Sequence, residues 1–180
     1  MLLNKKYLTI GFAVLLLTTL ISALLVFTEN HSASSEQIIP AGEWIVFSCG
    51  HDYERELYII QRNGTQLRQL THNHYLDDYP QWSPDGEWIV FSSEERPVSR
   101  DGYHSDIYRI HLDGSELQNL TRNSSQDRLL SWSPDGSRIA FSAKEPGSSS
   151  DIWLFDVGSS TLRQLTFDAH ALSSAWSRDG

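Results

Sequence analysis

The chain has 180 residues and a formal net charge of −9, with 39% hydrophobic and 21% charged residues, which is ordinary for a globular protein. All 23 acidic residues but only 12 of the 14 basic ones follow residue 27, so that part carries a net charge of −11. A surface of this sign repels phosphate backbones, and we therefore expect no nucleic-acid partner. Cys49 is the only cysteine, which excludes an intrachain disulfide.

The N-terminus contains a long segment without charge, residues 8–27. As a helix rising about 1.5 Å per residue, it would span the roughly 30 Å hydrocarbon layer of a membrane. Lys5 and Lys6 precede the segment, and no Lys or Arg follows it before Arg55. The positive-inside rule therefore predicts a short cytoplasmic N-terminus, residues 1–7, and export of everything after the segment.

The same segment is longer than the apolar core of a usual signal peptide, which favours a retained single-pass anchor. The alternative is cleavage at the small residues 32–34, which would release a secreted or periplasmic protein. Residues 28–37 are expected to form a linker to the folded part.

A five-residue turn sequence, Trp-Ser-Pro-Asp-Gly, recurs along the rest of the chain, with Arg178 in place of proline in its last copy. A worn copy occupies residues 38–42. The repeated positions are Trp82, Pro84, Asp85, Gly86, Trp132, Pro134, Asp135, Gly136, Trp176, Asp179 and Gly180. Proline presets the first corner of such a turn, aspartate bonds its own backbone, and glycine accepts a positive φ.

Each turn is followed by the same series of short motifs. An apolar run ending in serine comes first, then an acidic-aliphatic-aromatic triplet such as Asp106-Ile107-Tyr108, and finally Leu-Thr. The closing glycines are spaced 44, 50 and 44 residues apart, and the six extra residues fall between Ser92 and Asp106. We interpret each repeat as four short, consecutive, antiparallel strands separated by turns.

The apolar runs Trp44-Ile45-Val46-Phe47 and Trp88-Ile89-Val90-Phe91 do not alternate with polar residues, so both faces of these strands are predicted to be buried. A four-stranded unit of about 40 to 50 residues that is covered on both faces by copies of itself is a propeller blade. The sequence thus predicts an all-β fold of units packed face to face, and not one continuous sheet.

In its turn sequence, its Asp-Ile-Tyr triplet and its terminal Leu-Thr, the chain resembles the TolB-like, WD-repeat-like β-propeller family. The resemblance covers Ile38 to Gly180 and implies a partial, open propeller of about three four-stranded blades. That family includes bacterial envelope proteins, sensor ectodomains and the propeller portions of serine peptidases. TolB has an α/β domain before its propeller, whereas the repeats here start about ten residues after the apolar segment, so a true TolB orthologue is not expected.

The predicted organisation is a β-propeller region at residues 38–180 with blades at about 38–76, 77–126 and 127–171, and the start of a fourth at 172–180. Closed propellers usually have at least four blades, so we expect a truncated, open array.

Two aspartates are candidates for a binding surface. Asp77 and Asp127 each lie nine residues before their turn glycine, in the loop between successive blades, where propellers bind partners or ions. The preferred interpretation of both aspartates is nevertheless structural, a hydrogen bond to the loop backbone. For Trp82, Trp132 and Trp176, equivalent positions in stacked units favour a place in the core over a ligand cage.

No motif predicts chemistry. His72-Asn73-His74, with Asp77 nearby, is the best metal-like cluster, but a solvated loop is the preferred interpretation, and we expect no metal and no cofactor. A Gly-x-Ser-x-Gly nucleophile elbow does not occur, and we expect no catalytic residue.

The sequence therefore favours a non-catalytic, membrane-anchored scaffold that binds an envelope protein or an extracellular ligand. The alternative is the propeller portion of a membrane-anchored prolyl-oligopeptidase-like serine peptidase whose catalytic domain lies outside this chain.

Overall fold

The computed structural model of the protein describes residues 43–51, 54–99, 102–123 and 125–180, and every regular element among them is a β-strand. The expected anchor, its flanking segments and the worn turn copy lie outside these residues. None of the described residues forms a helix long and apolar enough to cross a membrane. The strands are β1 (Trp44–His51), β2 (Glu54–Gln61), β3 (Arg68–Gln69), β4 (Leu76–Trp82), β5 (Trp88–Ser99), β6 (Gly102–His111), β7 (Gln118–Asn119), β8 (Gln126–Trp132), β9 (Arg138–Lys144), β10 (Ser150–Asp156) and β11 (Thr161–Gln164).

The strands form three antiparallel groups that follow the sequence repeat. We call β1–β3 unit 1, β4–β7 unit 2 and β8–β11 unit 3. Within each unit, consecutive strands pair antiparallel. The all-β prediction is confirmed, and so is the antiparallel order of strands within the units.

The units are linked by pairing that the repeat pattern does not predict. A single parallel residue pair, Arg55 with Leu76, joins β2 to β4, and Ser105 with Gln126 joins β6 to β8 in the same way. Through these two links the eleven strands form one hydrogen-bonded sheet. The expectation of wholly separate sheets is therefore wrong for the backbone pairing.

The side chains nevertheless pack unit against unit. Ile89 and Phe91 on β5 join a core cluster with Leu57 and Ile59 of unit 1. Val90, which lies between them on β5, belongs to a second cluster with Ile139, Phe141 and Phe155 of unit 3. Alternate residues of one strand thus enter two different cores, because successive side chains of a strand point to opposite faces. Unit 2 is packed on both faces.

Burial of both faces holds for β5 but not for β1. Ile89, Val90 and Phe91 are at most 1% exposed, as predicted. Ile45, at the position in β1 that Ile89 has in β5, is 51% exposed. The prediction is therefore wrong for Ile45. Unit 1 covers the Ile89 face of unit 2, whereas no unit among the described residues covers the Ile45 face of unit 1.

Candidate functional site: the junction segments

The Trp-Ser-Pro-Asp-Gly turn joins the first two strands of unit 2 through a short hydrogen-bonded loop. The Gly86 N–H donates to the Ser83 carbonyl at 2.9 Å, and the Ser83 N–H donates to the Trp88 carbonyl at 2.8 Å. Gly86 has a φ of 75°, in the left-handed region that favours glycine. Asp85 Oδ1 accepts a hydrogen bond from the Glu87 N–H at 3.0 Å, so the aspartate closes its own turn.

The later copies repeat this geometry. The Gly136 N–H donates to the Ser133 carbonyl at 3.0 Å, and hydrogen bonds from Ser133 and Ser137 lower the pKa of Asp135 to about 2. In the last copy the Gly180 N–H donates to the Ser177 carbonyl at 3.3 Å. The turns therefore fix where the first strand of each unit ends and the second begins.

Three equivalent stretches, residues 71–79, 121–129 (of which 124 is not described) and 166–173, follow the Leu-Thr motifs, and we call them the junction segments. The first two run into the first strands of units 2 and 3, since β4 begins at Leu76 and β8 at Gln126. In the second, Asp106 of the Asp-Ile-Tyr triplet accepts hydrogen bonds from Thr121 Oγ1 and from the Asn123 N–H, both at 3.1 Å. Thr121 Oγ1 also accepts from the Ile107 N–H at 3.0 Å. The triplet acid and the threonine of Leu-Thr thus hold the start of the segment against β6.

The same clamp recurs in the third junction segment. Asp151 accepts from Thr166 Oγ1 at 2.9 Å and from the Ala169 N–H at 3.0 Å, and Thr166 Oγ1 accepts from the Ile152 N–H at 2.9 Å. The repeated triplet and the threonine of the repeated Leu-Thr are therefore hydrogen-bonded to each other, a contact that the sequence shows only as two separate motifs.

In the first junction segment a glutamate replaces the aspartate. Glu56 Oε1 accepts from the Asn73 N–H at 2.8 Å, and Thr71 Oγ1 accepts from the Leu57 N–H at 2.9 Å. Glu56 Oε2 is buried without a hydrogen-bond partner among the described residues. Burial raises the pKa of Glu56, and the hydrogen bonds from Thr71 and Asn73 oppose that rise.

Asp77 and Asp127, the predicted surface candidates, both have 0% exposure. Their expected place in a loop is wrong, because Asp77 lies on β4 and Asp127 on β8, each one residue after the parallel pair that joins two units. Asp127 Oδ2 accepts from Asn123 Nδ2 at 2.9 Å, and its Oδ1 accepts from Ser125 Oγ. Asp77 Oδ2 accepts from Asn73 Nδ2, also at 2.9 Å. Each carboxylate is thus bonded to an asparagine four residues earlier, within its own junction segment.

Burial dominates the electrostatics of both aspartates. It raises the pKa of Asp77, and it raises the pKa of Asp127 to about 6, with the nearby Asp106 carboxylate adding to the rise. Asn123 and Ser125 lower the pKa of Asp127 but do not cancel the desolvation. A carboxylate titrating at that value carries its proton for part of the time near neutral pH.

Serines at equivalent positions tie the second and third junction segments to the preceding unit through backbone carbonyls, and in the first the equivalent Ser48 donates to the Asp78 carboxylate at 2.8 Å. Ser92 Oγ donates to the Asp127 carbonyl at 2.7 Å, and Ser142 Oγ donates to the Ala171 carbonyl at 3.1 Å. These serines end the apolar runs of the repeat. Ala171 occupies the position of Asp77 and Asp127, so the backbone contact persists where the carboxylate is missing.

Five non-glycine residues of the junction segments have a positive φ, namely Tyr79, Arg122, Leu129, Asp168 and His170, and two of them lie beside a shift in strand pairing. Tyr79 and Leu129, at equivalent positions, have φ values of 56° and 50°, and the pairing register shifts beside each. A side chain with a Cβ is costly in this region and persists only where surrounding structure holds it. Tyr79 is 42% exposed, which makes it a large aromatic presented on a fixed backbone. Nothing in the sequence signals these bulges, because neither position is glycine or asparagine.

The structure places the other sequence candidates as follows. Trp82 and Trp132 pack against the two core clusters, and Trp176 Nε1 donates to the Ser131 carbonyl at 3.2 Å. His72 and His74 are exposed. Within the described part of the chain, no three His, Cys, Asp or Glu side chains are grouped as metal ligands would be.

Comparison with known proteins gives the chain a family. Residues 83–175, just over half of the chain, match the family described as the dipeptidyl peptidase IV (DPP IV) N-terminal region. The chain belongs to this family. The match begins in the turn of unit 2 and runs through unit 3 to two residues past the third junction segment, so it covers most of the second repeat and the whole of the third.

Among relatives of this DPP IV N-terminal region chain, an uncharacterized protein of Agrobacterium fabrum is 29% identical over 59 residues, which are 33% of this chain and 20% of that protein. The structure of a putative TolB from Agrobacterium tumefaciens is similar with a TM-score of 0.62 and 24% identity, covering 77% of this chain and 52% of that one. Puromycin hydrolase is similar with a TM-score of 0.56 and 16% identity, covering 76% of this chain and 22% of the enzyme.

These similarities confirm a TolB-like propeller at the level of the fold. The chain spans about half the length of the TolB structure and a fifth of the Agrobacterium fabrum relative.

Proposed function

We propose that the chain is a non-catalytic propeller scaffold, anchored by residues 8–27 and exposed outside the cytoplasm, that binds an envelope protein or an extracellular ligand. Its blades are residues 38–76, 77–126 and 127–171, with a fourth beginning at 172–180. The binding surface is formed by the junction segments around Asp77 and Asp127, whose carboxylates order the backbone while exposed neighbours make the contacts.

The observation that supports this proposal is the exposed Tyr79 at the bulge of β4, in a clamped junction segment. Its segment is held at Thr71, at Asn73 and at Asp77, so little conformational entropy is left to lose when a partner binds. Tyrosine supplies a large contact area from few rotatable bonds and is enriched among the residues that dominate interface energies. A rigid backbone that presents such a side chain is suited to recognition.

The test is an affinity capture from envelope extracts of the source organism, using the full chain and its Tyr79→Ala and Leu117→Ala variants. Leu117 is a matched control because it is 53% exposed and lies outside the junction segments. We expect a specific partner whose recovery falls about tenfold with Tyr79→Ala, the loss of about 1.4 kcal/mol, and is unchanged with Leu117→Ala. Equal recovery by all three proteins, or no enrichment over the bare resin, would reject the proposal.

The second candidate is the propeller portion of a membrane-anchored prolyl-oligopeptidase-like serine peptidase. It is favoured by the match to the DPP IV N-terminal region and by the similarity to a prolyl endopeptidase structure with a TM-score of 0.53. The reading frame that follows codon 180 separates the two candidates. An α/β segment with a Gly-x-Ser-x-Gly elbow would support the peptidase, whereas further Trp-Ser-Pro-Asp-Gly repeats alone would support the scaffold.

A further inference from the structure

A cavity of about 140 Å³ lies at the end of unit 3 where the chain turns from β9 into β10. Its lining includes three acidic side chains, those of Glu145, Asp151 and Asp168, and two aromatic ones, those of Trp153 and Phe167. Among the described residues that line it there is no Lys, Arg or His. A cavity of this volume can hold a molecule about the size of benzene.

The cavity lies on the side of unit 3 that faces unit 2. Trp153 packs against the core cluster that contains Val90 and Ile107 of unit 2. Asp151 lies two residues before Trp153 on β10, so its side chain points to the same face of the strand. Phe167 is 74% exposed, and solvent therefore reaches the aromatic side of the cavity.

Unit 3 departs from the repeat at two of the lining positions, and the first is Phe167. This residue follows the threonine of Leu-Thr, where units 1 and 2 have His72 and Arg122. Both of these residues are exposed although a further unit follows each of them, so exposure is a property of this position in the repeat. In unit 3 a large apolar ring thus replaces a side chain that can carry positive charge.

Asp168 is the second departure from the repeat. Units 1 and 2 have Asn73 and Asn123 there, and each asparagine donates from Nδ2 to the buried aspartate four residues later. Unit 3 has Ala171 in place of that aspartate, so an asparagine would have no carboxylate to bond. Among the described residues, the Asp168 carboxylate accepts one long hydrogen bond, from Ser149 Oγ at 3.5 Å. It is therefore available to a ligand.

Asp151 contributes a negative charge that is fixed in position. Its carboxylate accepts hydrogen bonds from the Ala169 N–H at 3.0 Å and from Thr166 Oγ1 at 2.9 Å, and these contacts lower the pKa of Asp151. None of the three acidic side chains forms an ion pair with a described Lys, Arg or His. A cleft lined by charges of one sign concentrates ions of the opposite sign.

We propose that this cavity binds a small, free organic cation with a trimethylammonium group, such as choline. Aromatic rings attract cations, and quaternary ammonium ligands are commonly recognised by aromatic side chains. A primary ammonium is a compact, strongly hydrated charge, and it would lose more hydration beside the rings of Trp153 and Phe167. The proposal does not rest on the scaffold assignment, because no described residue of the first two junction segments lines the cavity.

Isothermal titration calorimetry of the full chain with choline chloride, in a non-ionic detergent, tests the proposal. We expect a dissociation constant on the order of 1 mM, an ordinary affinity for a ligand of about seven non-hydrogen atoms. The neutral analogue in which a tert-butyl group replaces the trimethylammonium group should bind at least about tenfold more weakly, because it has no charge. Absence of choline binding, or equal binding of the neutral analogue, would overturn the proposal.

Two further ligands test the chemical class of the cation. Butylammonium should bind more weakly than choline because of its stronger hydration. Phosphocholine, a lipid head group, should also bind more weakly, because the acidic side chains repel its phosphate. Tighter binding of butylammonium would reject a quaternary ligand, and tighter binding of phosphocholine would reject a free cation in favour of a lipid surface.

Two variants introduce residues that the repeat itself has at the equivalent positions. Phe167→Arg, which copies Arg122, should weaken choline binding at least about tenfold, since a like charge replaces an aromatic ring. Asp168→Asn, which copies Asn123, should weaken it about threefold, the usual effect of one exposed charge. Both substitutions alter exposed side chains. The comparison of ligands on the wild-type chain is independent of how these variants fold.

Glu116→Gln is the matched control for the loss of one negative charge. Glu116 is exposed in unit 2, and the equivalent residue of unit 1 is Gln66, so the repeat tolerates the change. Choline binding should be unchanged in this variant. Equal weakening by Glu116→Gln and Asp168→Asn would show that choline responds only to the net charge of the chain. That result, or wild-type affinity in Phe167→Arg, would overturn the proposal.

Discussion

Asp127 accepts hydrogen bonds within its junction segment, but burying its carboxylate has an electrostatic cost. Its side chain is fully buried, and burial raises its pKa from 3.8 to about 6. The folded protein therefore binds a proton at Asp127 more tightly than the unfolded chain does. The stabilisation associated with that proton is present below about pH 4 and is lost as the pH rises through about 6.

We predict that Asp127→Asn becomes increasingly favourable to stability as the pH rises. The free energy of unfolding of the variant minus that of the wild type should increase by up to about 3 kcal/mol between pH 4 and pH 8, since one pKa unit is worth about 1.4 kcal/mol. Asparagine keeps the size of the side chain and has no charge to desolvate. Urea unfolding followed by tryptophan fluorescence at five pH values gives the difference.

Asp135→Asn is the control for the Asp127 experiment. The hydrogen bonds in its turn lower the pKa of Asp135 to about 2. The ionised Asp135 therefore stabilises the fold at any pH above the aspartate pKa of the unfolded chain, and this stabilisation is lost only below about pH 4. The difference between this variant and the wild type should be constant from pH 4 to pH 8. If the Asp127→Asn difference were equally constant, the assignment of the raised pKa would be wrong.

At the scale of the elements, β1 and β5 carry the same Trp-Ile-Val-Phe sequence in different surroundings. Ile89 is fully buried between units 1 and 2, and Ile45 is half exposed. The strand sequence itself does not explain the difference in burial, because it is the same in both strands. The surroundings differ: β5 pairs with β4 as well as with β6 and packs against unit 1, whereas β1 pairs only with β2 among the described strands.

We predict that Ile89→Ala lowers the free energy of unfolding by about 2 to 4 kcal/mol, because it leaves a cavity in the core between units 1 and 2. Ile45→Ala, the matched substitution, should cost less than about 1 kcal/mol, since surface changes are usually small. Both are measured by urea unfolding at concentrations where the chain is monomeric. Equal costs would contradict the packing of unit 2 between its neighbours.

The sequence predicts elements that depend on local chemistry. The turn at Pro84, Asp85 and Gly86 is recognisable because its hydrogen bonds join residues at most five positions apart. The clamp between Asp106 and Thr121 spans 15 residues, so the sequence shows two motifs and not their contact. The positive φ of Leu129 leaves no signal, because tertiary packing imposes it on a residue with no preference for it. Each parallel link between units is a single residue pair, so the sequence repeat gives no sign of it.

At the scale of the whole molecule, the charge is arranged in a way that supports an exported chain. The 23 acidic residues all follow the apolar segment 8–27, and Lys5 and Lys6 precede it. If the segment inserts, this asymmetry orients the repeat units away from the cytoplasm. The junction segments would then meet envelope or extracellular partners, which is the setting that the scaffold proposal requires.

Cys49 reports on that orientation because it is the only cysteine of the chain and is exposed. We predict that a membrane-impermeant maleimide labels Cys49 of the full chain in intact spheroplasts, since a thiol outside the cytoplasmic membrane is accessible to the reagent. In the control, Asn4→Cys with Cys49→Ser, the thiol precedes the apolar segment and should be labelled only after permeabilisation. Labelling of Cys49 that also requires permeabilisation would place the repeat units in the cytoplasm. The positive-inside bias would then not have determined the topology. An envelope partner would no longer be part of the proposed function.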